Sequence, residues 1–204
     1  MSDKWLTWAK EIQAISQAGL AYAKDVYDVE RYQRLRELST EILEEYTEEP
    51  MEKIINLFTN ETGYQTPKVD IRAVVFHEGE LLFVQEKSDG KWALPGGWAD
   101  IGFSPKEVAA KEVYEEAGIE VAANQLLGVV DMHKHPHPPM ASHIYKIFIA
   151  CNWEDGDLKG GTETDHAAFF QKDKLPELSI ARNTYEQIEH LFTMQKETLR
   201  PFCD

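Results

Sequence analysis

Apolar residues recur at helical spacing through the first part of the chain and then change to alternation. Trp5, Trp8, Ile12, Ile15 and Ala18 fall three or four apart, one face of a 3.6-residue period, and predict a helix over residues 4–23. A second stripe, Tyr32, Leu35, Leu38, Ile42 and Tyr46, predicts a helix that starts near Asp28, a residue type suited to the N-cap. A shorter helix carrying Ile54, Ile55 and Phe58 is expected after Pro50, since proline suits a first helical turn. Three short helices enclose little core, so their apolar faces, Trp5 and Trp8 included, need another surface.

The stretch from Asn60 to Pro67 is the best linker, and beyond it the period falls to two. Val69, Ile71, Ala73 and Val75 alternate with Asp70 and Arg72, as in a strand. Further strands are expected at Leu81–Gln85, Trp92–Leu94, Gln125–Asp131, Ile144–Asn152 and Ala167–Gln171, with helices over Pro105–Ala117 and Asn183–Leu199. The expected division is a helical N-terminal domain at 1–62 and a mixed α/β domain at 63–204.

Composition narrows the function classes. The chain has 204 residues, 43% of them hydrophobic and 28% charged, which is ordinary for a soluble globular protein. No apolar run approaches a membrane span, and the first residues do not read as a secretory signal. Cys151 and Cys203 lie too far apart in a chain of this size to suggest a disulfide framework, which fits a reducing cytoplasm. The net charge of -15 weighs against broad duplex nucleic-acid binding. It leaves anionic substrates open, because divalent cations can bridge acidic side chains to phosphates.

The chemistry gathers on the helix from Pro105. Ser104, Pro105 and Glu107 spell a capped start, and Gly118 suits the C-terminal cap. Glu112, Glu115 and Glu116, spaced i, i+3 and i+4, share one face. Crowded carboxylates repel unless cations sit between them, and Mg2+ or Mn2+ prefers such oxygen ligands. Alone, such a face is more often solvated surface. Here Gly96 and Gly97 precede the helix and let the backbone approach a metal or phosphate closely.

The segment from Gly96 to Ile119 resembles the Nudix box, G-x(5)-E-x(7)-R-E-U-x-E-E-x-G-U with U a bulky aliphatic residue. Gly97, Glu112, Val113, Glu115, Glu116, Gly118 and Ile119 match, while Phe103 replaces the first glutamate and Lys111 the arginine. The resemblance implies an α/β/α sandwich around a mixed sheet. It also implies metal binding by Glu112, Glu115 and Glu116, with help from the Gly97 carbonyl. The N-terminal segment, with Gly19-Leu20-Ala21-Tyr22 and Glu30-Arg31-Tyr32, looks like the helical domain of one bacterial subgroup. In that subgroup the box commonly reads Gly-Gly-Trp-Ala-Asp with lysine for arginine, and the members are dimers in which the N-terminal helices take part. They are described as hydrolases of nucleoside diphosphates linked to another group, CDP-choline and ADP-ribose among them.

The expected reaction is therefore metal-dependent hydrolysis of a P–O–P bond by water, with CDP-choline cut to CMP and phosphocholine as the leading expectation and ADP-ribose as the alternative. A non-catalytic nucleotide sensor and an RNA 3′-end exonuclease are readings from other classes, the last disfavoured by the acidic balance. Glu112 and Glu163 are the candidate general bases, Glu163 in the loop Gly160–Asp165 where a plain exposed acid weighs equally. Arg72 is a candidate phosphate ligand or a partner of Asp70, and Trp98 a candidate ligand contact beside the glycine turn. His133, His135 and His137 lie in a proline-rich stretch read as an extended loop, with His135 and His137 placed on the substrate pocket and His143 given a structural role.

Overall fold

In the computed structural model, residues 4–46, 63–140, 142–196 and 200–204 are described. The helix expected after Pro50 lies outside them. The chain divides into two compact units, residues 1–67 with 139–142, and residues 68–138 with 143–204.

The first unit holds α1 (Lys4–Tyr22) and α2 (Val26–Tyr46). The second helix starts earlier than expected. Asp25, not Asp28, caps it, its carboxylate accepting from the Tyr27 amide at 3.0 Å, while Asp28 sits in the first turn paired with Arg31 at 2.7 Å. The buried faces also depart from the apolar stripes. Ala9, Gln13, Ser16 and Gln17 of α1 are buried with Ser39, Thr40 and Leu43 of α2, and Ser39 donates to Gln13 Oε1 at 2.9 Å. Small and hydrogen-bonded residues allow close approach: a Cβ on Gly19 would lie 2.4 Å from the Tyr32 ring. Trp8, Ile15, Tyr22, Leu35 and Tyr46 are left exposed.

The second unit is built on a seven-stranded mixed sheet. Its strands are β1 (Lys68–His77), β2 (Glu80–Glu86), β3 (Trp92–Ala93), β4 (Ile119–Asp131), β5 (Ile144–Gly156), β6 (Thr164–Phe170) and β7 (Phe202–Cys203). They run in the order β3-β2-β1-β5-β4-β7, with β6 also paired to β2. β1 and β5 are parallel, with Asp70 opposite Lys146; β4 and β5 are antiparallel. Helix α3 (Pro105–Ala117) covers one face and α4 (Tyr185–Lys196) the other. Ile71, Ala73, Val75, Leu82 and Val84 pack with Val108, Ala109 and Val113 of α3, whereas Val74, Leu81, Phe83 and Phe148 pack with Ile188, Leu191 and Phe192 of α4. This is an α/β/α sandwich, and central strands in such a sheet are buried on both faces.

That burial revises the reading of β1. Its alternation of apolar and polar residues does not separate core from solvent, because Asp70 and Arg72 are buried too. β4 begins at Ile119, immediately after the helix, well before Gln125. Its register against β5 shifts at Glu120/Val121, Ala123/Gln125 and Leu126/Gly128, so the period of two is broken where it would have been read. The short β7 was not expected; it pairs with β4, where Phe202 rests on Gly128, a site at which a Cβ would meet the ring at 2.5 Å.

Candidate metal centre

Helix α3 is held at both ends. Ser104 Oγ accepts from the Glu107 amide, Glu107 reaches back to the Ser104 amide at 2.8 Å, and Gly118 takes the left-handed conformation at φ 76°. The apolar side of the helix is buried, and this fixes where its carboxylates stand. Glu115 is open, with its side chain 54% exposed, Glu112 is mostly enclosed at 14%, and Glu116 is buried.

The glycine turn runs alongside β1. Ala73 donates to Pro95 O at 2.8 Å, Ile71 to Gly97 O at 2.8 Å, and Ala99 to Val69 O at 2.9 Å. Gly96, at φ +149°, has no room for a side chain, since a Cβ would stand 2.0 Å from Ile71 O. Its amide donates to Glu116 Oε2 at 2.8 Å. A Cβ on Gly97 would meet the Glu112 carboxylate at 3.2–3.3 Å. The turn and the helix thus converge on Glu112 and Glu116. The Gly97 carbonyl itself is engaged by Ile71, which leaves it one lone pair.

The electrostatics of this face are compatible with a bound cation. Burial pushes the Glu116 carboxyl up to about 8, against the pull of Arg72 and of the Gly96 amide, and the nearby acids Glu86 and Glu112 add to the rise. Glu112 is raised by burial, with Lys111 opposing. Lys111 brings a positive charge among these acids, its Nζ 3.5 Å from Glu112, 3.3 Å from Glu115 and 3.4 Å from Asp100. A single ammonium here bridges three carboxylates where an arginine would fork onto one. Asp100 supplies an acid to this cluster, while Phe103, in the position of the missing glutamate, is 51% exposed. A buried carboxylate with a raised pKa, two further carboxylates on the same face and a backbone with no Cβ in the way fit a hard divalent cation.

The other candidates lie as follows. Arg72 is buried and directs Nε and NH2 to Asp70 at 3.0 and 2.9 Å, with NH1 donating to Leu94 O at 3.0 Å. Trp98 pairs with Asp70 through an isolated bridge and is 52% exposed, with Lys68 Nζ 5.9 Å from its ring centre. Glu163 is exposed. Its loop is pinned to the end of α3 by Thr164 Oγ1 donating to Glu116 O at 2.6 Å and to the residue after β2 by the Lys87 amide on Glu163 O at 3.0 Å. His135 Nε2 lies 3.2 Å from Asp204. His137 Nδ1 is 2.7 Å from Ile180 O and its Nε2 is 3.0 Å from Gln187 Nε2, so the ring is neutral with its proton on Nδ1.

The Asp70–Arg72 pair, one of the two readings of Arg72 from the sequence, is joined by buried charges that the sequence reading did not single out. Lys146 bonds to Asp70, which also receives Arg72. Glu86 is buried against Arg182 at 2.6 Å. Burial alone would raise Asp70, but Arg72 and Lys146 hold it below the usual carboxylate range; burial pulls Lys146 down to about 8. A signal was present for Lys146, a lysine at the same parity as Ile144 and Phe148 in an apolar run, since such a residue needs a countercharge.

Comparison with known proteins accords with this geometry. Residues 66–191 match the NUDIX domain, and residues 3–58 match a family described as a UDP-X-like, N-terminal oligomerisation domain. A Bacillus subtilis protein named "Putative ADP-ribose pyrophosphatase YjhB" is 52% identical over 94% of this chain and 92% of its own. An ADP-ribose pyrophosphatase of Methanocaldococcus jannaschii is 29% identical over 57% of this chain and 69% of its own. Among solved structures, a UDP-X diphosphatase superimposes with a TM-score of 0.65 at 31% identity, covering 99% of this chain and 98% of that one. An ADP-ribose pyrophosphatase from Streptococcus suis superimposes with a TM-score of 0.61 at 38% identity, covering 68% and 98%.

Proposed function

Because this chain belongs to the Nudix family of pyrophosphohydrolases, we propose that it cleaves the diphosphate of a nucleoside diphosphate linked to a second moiety, with ADP-ribose the leading substrate. The observation that carries the reading is the convergence of the Gly96-Gly97 backbone with buried Glu116 and Glu112 on one helix face. Glu112, Glu115 and Glu116 are the residues that hold Mg2+ or Mn2+, with the free lone pair of the Gly97 carbonyl beside them. When bound, the cations offset the diphosphate charge and acidify water.

The chain's own groups do the rest. The absence of a Cβ at Gly97 lets the diphosphate approach the helix face. A carboxylate accepts the proton of the water that attacks phosphorus, and the bridging oxygen leaves with the other phosphate. The candidates for that carboxylate are Glu112, standing at the turn, and Glu163, exposed on a loop anchored to the end of α3. Arg72, His135 and His137 already have partners within the unit, so substrate contact by them requires an exchange of partners. Trp98 is the open aromatic beside the turn.

ADP-ribose stands ahead of CDP-choline for two reasons. Three of the four relatives above carry the ADP-ribose name, the fourth being the UDP-X diphosphatase. A choline ammonium on Trp98 would also share the ring with the ammonium of Lys68, whereas a neutral ribose meets no such repulsion. The N-terminal helices serve homodimer formation in this reading, supported by their exposed apolar side chains and by the oligomerisation family they match.

Initial rates with ADP-ribose, CDP-choline, a UDP-linked sugar, dinucleoside polyphosphates, nucleoside triphosphates and short RNA, each with Mg2+ and with Mn2+, test the proposal. Release of AMP and ribose phosphate as the fastest reaction is expected. Faster cleavage of CDP-choline would reverse the substrate order, and binding without any cleavage would replace the enzyme by a nucleotide sensor.

A further inference from the structure

The loop from β4 to β5 opens and closes on residues that face one another. Asp131 ends β4, His133 follows it in a short 3-10 turn, and His143 directly precedes β5. The strand register sets Asp131 against Tyr145, so His143 returns to the place where the loop began. His133 Nδ1 lies 3.2 Å from Asp131 Oδ1, and His143 Nε2 lies 3.2 Å from Asp131 Oδ2. One donor atom from each of the three residues falls within 4.8 Å of the other two.

We propose that Asp131, His133 and His143 form a binding site for a divalent transition-metal ion of the Zn2+ class, distinct from the glutamate face of α3, which staples the end of β4 to the start of β5. Ligand atoms about 2.0–2.1 Å from a tetrahedral Zn2+ stand roughly 3.4 Å apart. The two 3.2 Å separations, direct hydrogen-bond or ion-pair contacts as they stand, are also near that spacing. The histidine rings, with centroids 4.7 Å apart and planes tilted by 41°, are not stacked, and their side chains are 38% and 46% exposed. In the proposed site, modest adjustment of the side chains closes the three ligand atoms, already within 4.8 Å of one another, onto one ion.

Asp131 is the fixed point of the set. Its Oδ1 accepts from the His133 amide at 2.9 Å, and its own amide is held by Asp204 Oδ2 at 2.6 Å. Two imidazoles and a carboxylate suit Zn2+, Co2+ or Ni2+, whereas the all-carboxylate face of α3 suits Mg2+ or Mn2+. The ligand set leaves out His135 and His137, whose rings turn to Asp204 and to Ile180 and Gln187. An ion here would close the loop 132–143 at its base, and such closure restricts the unfolded chain more than the folded one.

The test uses the full chain without an affinity tag, in excess Mg2+, titrated with Co2+ and with Zn2+. One equivalent of Co2+ with visible ligand-field absorption is expected, displaced by Zn2+, and Zn2+ should raise the melting temperature. His133→Ala and His143→Ala should each weaken binding by more than about tenfold, the loss that even an outer-shell change brings. His135→Ala and the Glu115→Gln/Glu116→Gln double variant should bind as before. No absorption and no thermal shift would overturn the proposal. So would binding that survives both histidine variants, or binding lost with the glutamates. Each of these results leaves the proposed diphosphate hydrolysis standing, so the two readings fail separately.

Discussion

At the scale of single residues, the proposed chemistry rests on three carboxylates in unequal environments. Glu116→Gln and Glu115→Gln are each expected to lower kcat by about a hundredfold or more, the order that loss of one electrostatic catalytic group brings, with the urea midpoint barely moved; full activity in both would remove the helix face from the reaction. Gly97→Ala is a subtler probe. The new methyl would press on the Glu112 carboxylate at 3.2–3.3 Å, so turnover should fall while the fold persists. Gly96→Ala should instead fail to fold well, because its Cβ would meet a backbone oxygen at 2.0 Å. The matching positions of the motif could be found by spacing, but the depth of each glutamate could not. It depends on the glycine turn crossing over Glu116 while leaving Glu115 open.

At the scale of elements, the strands carry charge inside the sandwich. Asp70→Asn would leave Arg72 and Lys146 buried without their countercharge, and a loss of about 3–5 kcal/mol is expected by urea denaturation. Lys146→Met should cost less, since Arg72 still satisfies Asp70. The loop that leads to β5 is docked by His137 on the start of α4, where Thr184 and Gln187 cap each other. Burial holds the His137 ring down at about 4, below its ordinary 6.5. Between these values the unfolded chain binds more protons than the folded one. This contribution to stability is therefore complete above about 6.5 and is lost as pH falls toward 4. A His137 resonance that titrates near 6.5 by NMR would contradict it. Helix α3 was legible from its caps, but β4 was not fully so, because three register shifts interrupt its alternation.

For the whole molecule, the helical unit presents apolar side chains outward. Trp8 and Ile15 of α1 are 58% and 54% exposed, while glutamine and serine fill the α1–α2 contact. Under the proposed dimerisation through this unit, the unaltered chain should sediment as a dimer and Trp8→Glu with Ile15→Glu as a monomer, with each helix intact by circular dichroism. An unchanged dimer would place the association elsewhere. The expectation that these helices need a further surface came from the stripe of aromatic residues. Its orientation came from packing, since small polar residues allow a closer helix contact than tryptophans do.

The sequence by itself determined the caps of α3, the spacing that sets three glutamates on one face, the change from helical to strand period near Pro67 and the resemblance that names the reaction class. These are local properties, governed by residues a few positions apart. Only the tertiary structure decided that Arg72 is spent on Asp70, that Lys146 joins them, that Asp100 enters the glutamate cluster and that Asp131 faces two histidines across a loop. Those contacts depend on strand register and loop closure, which bring together groups far apart in the chain.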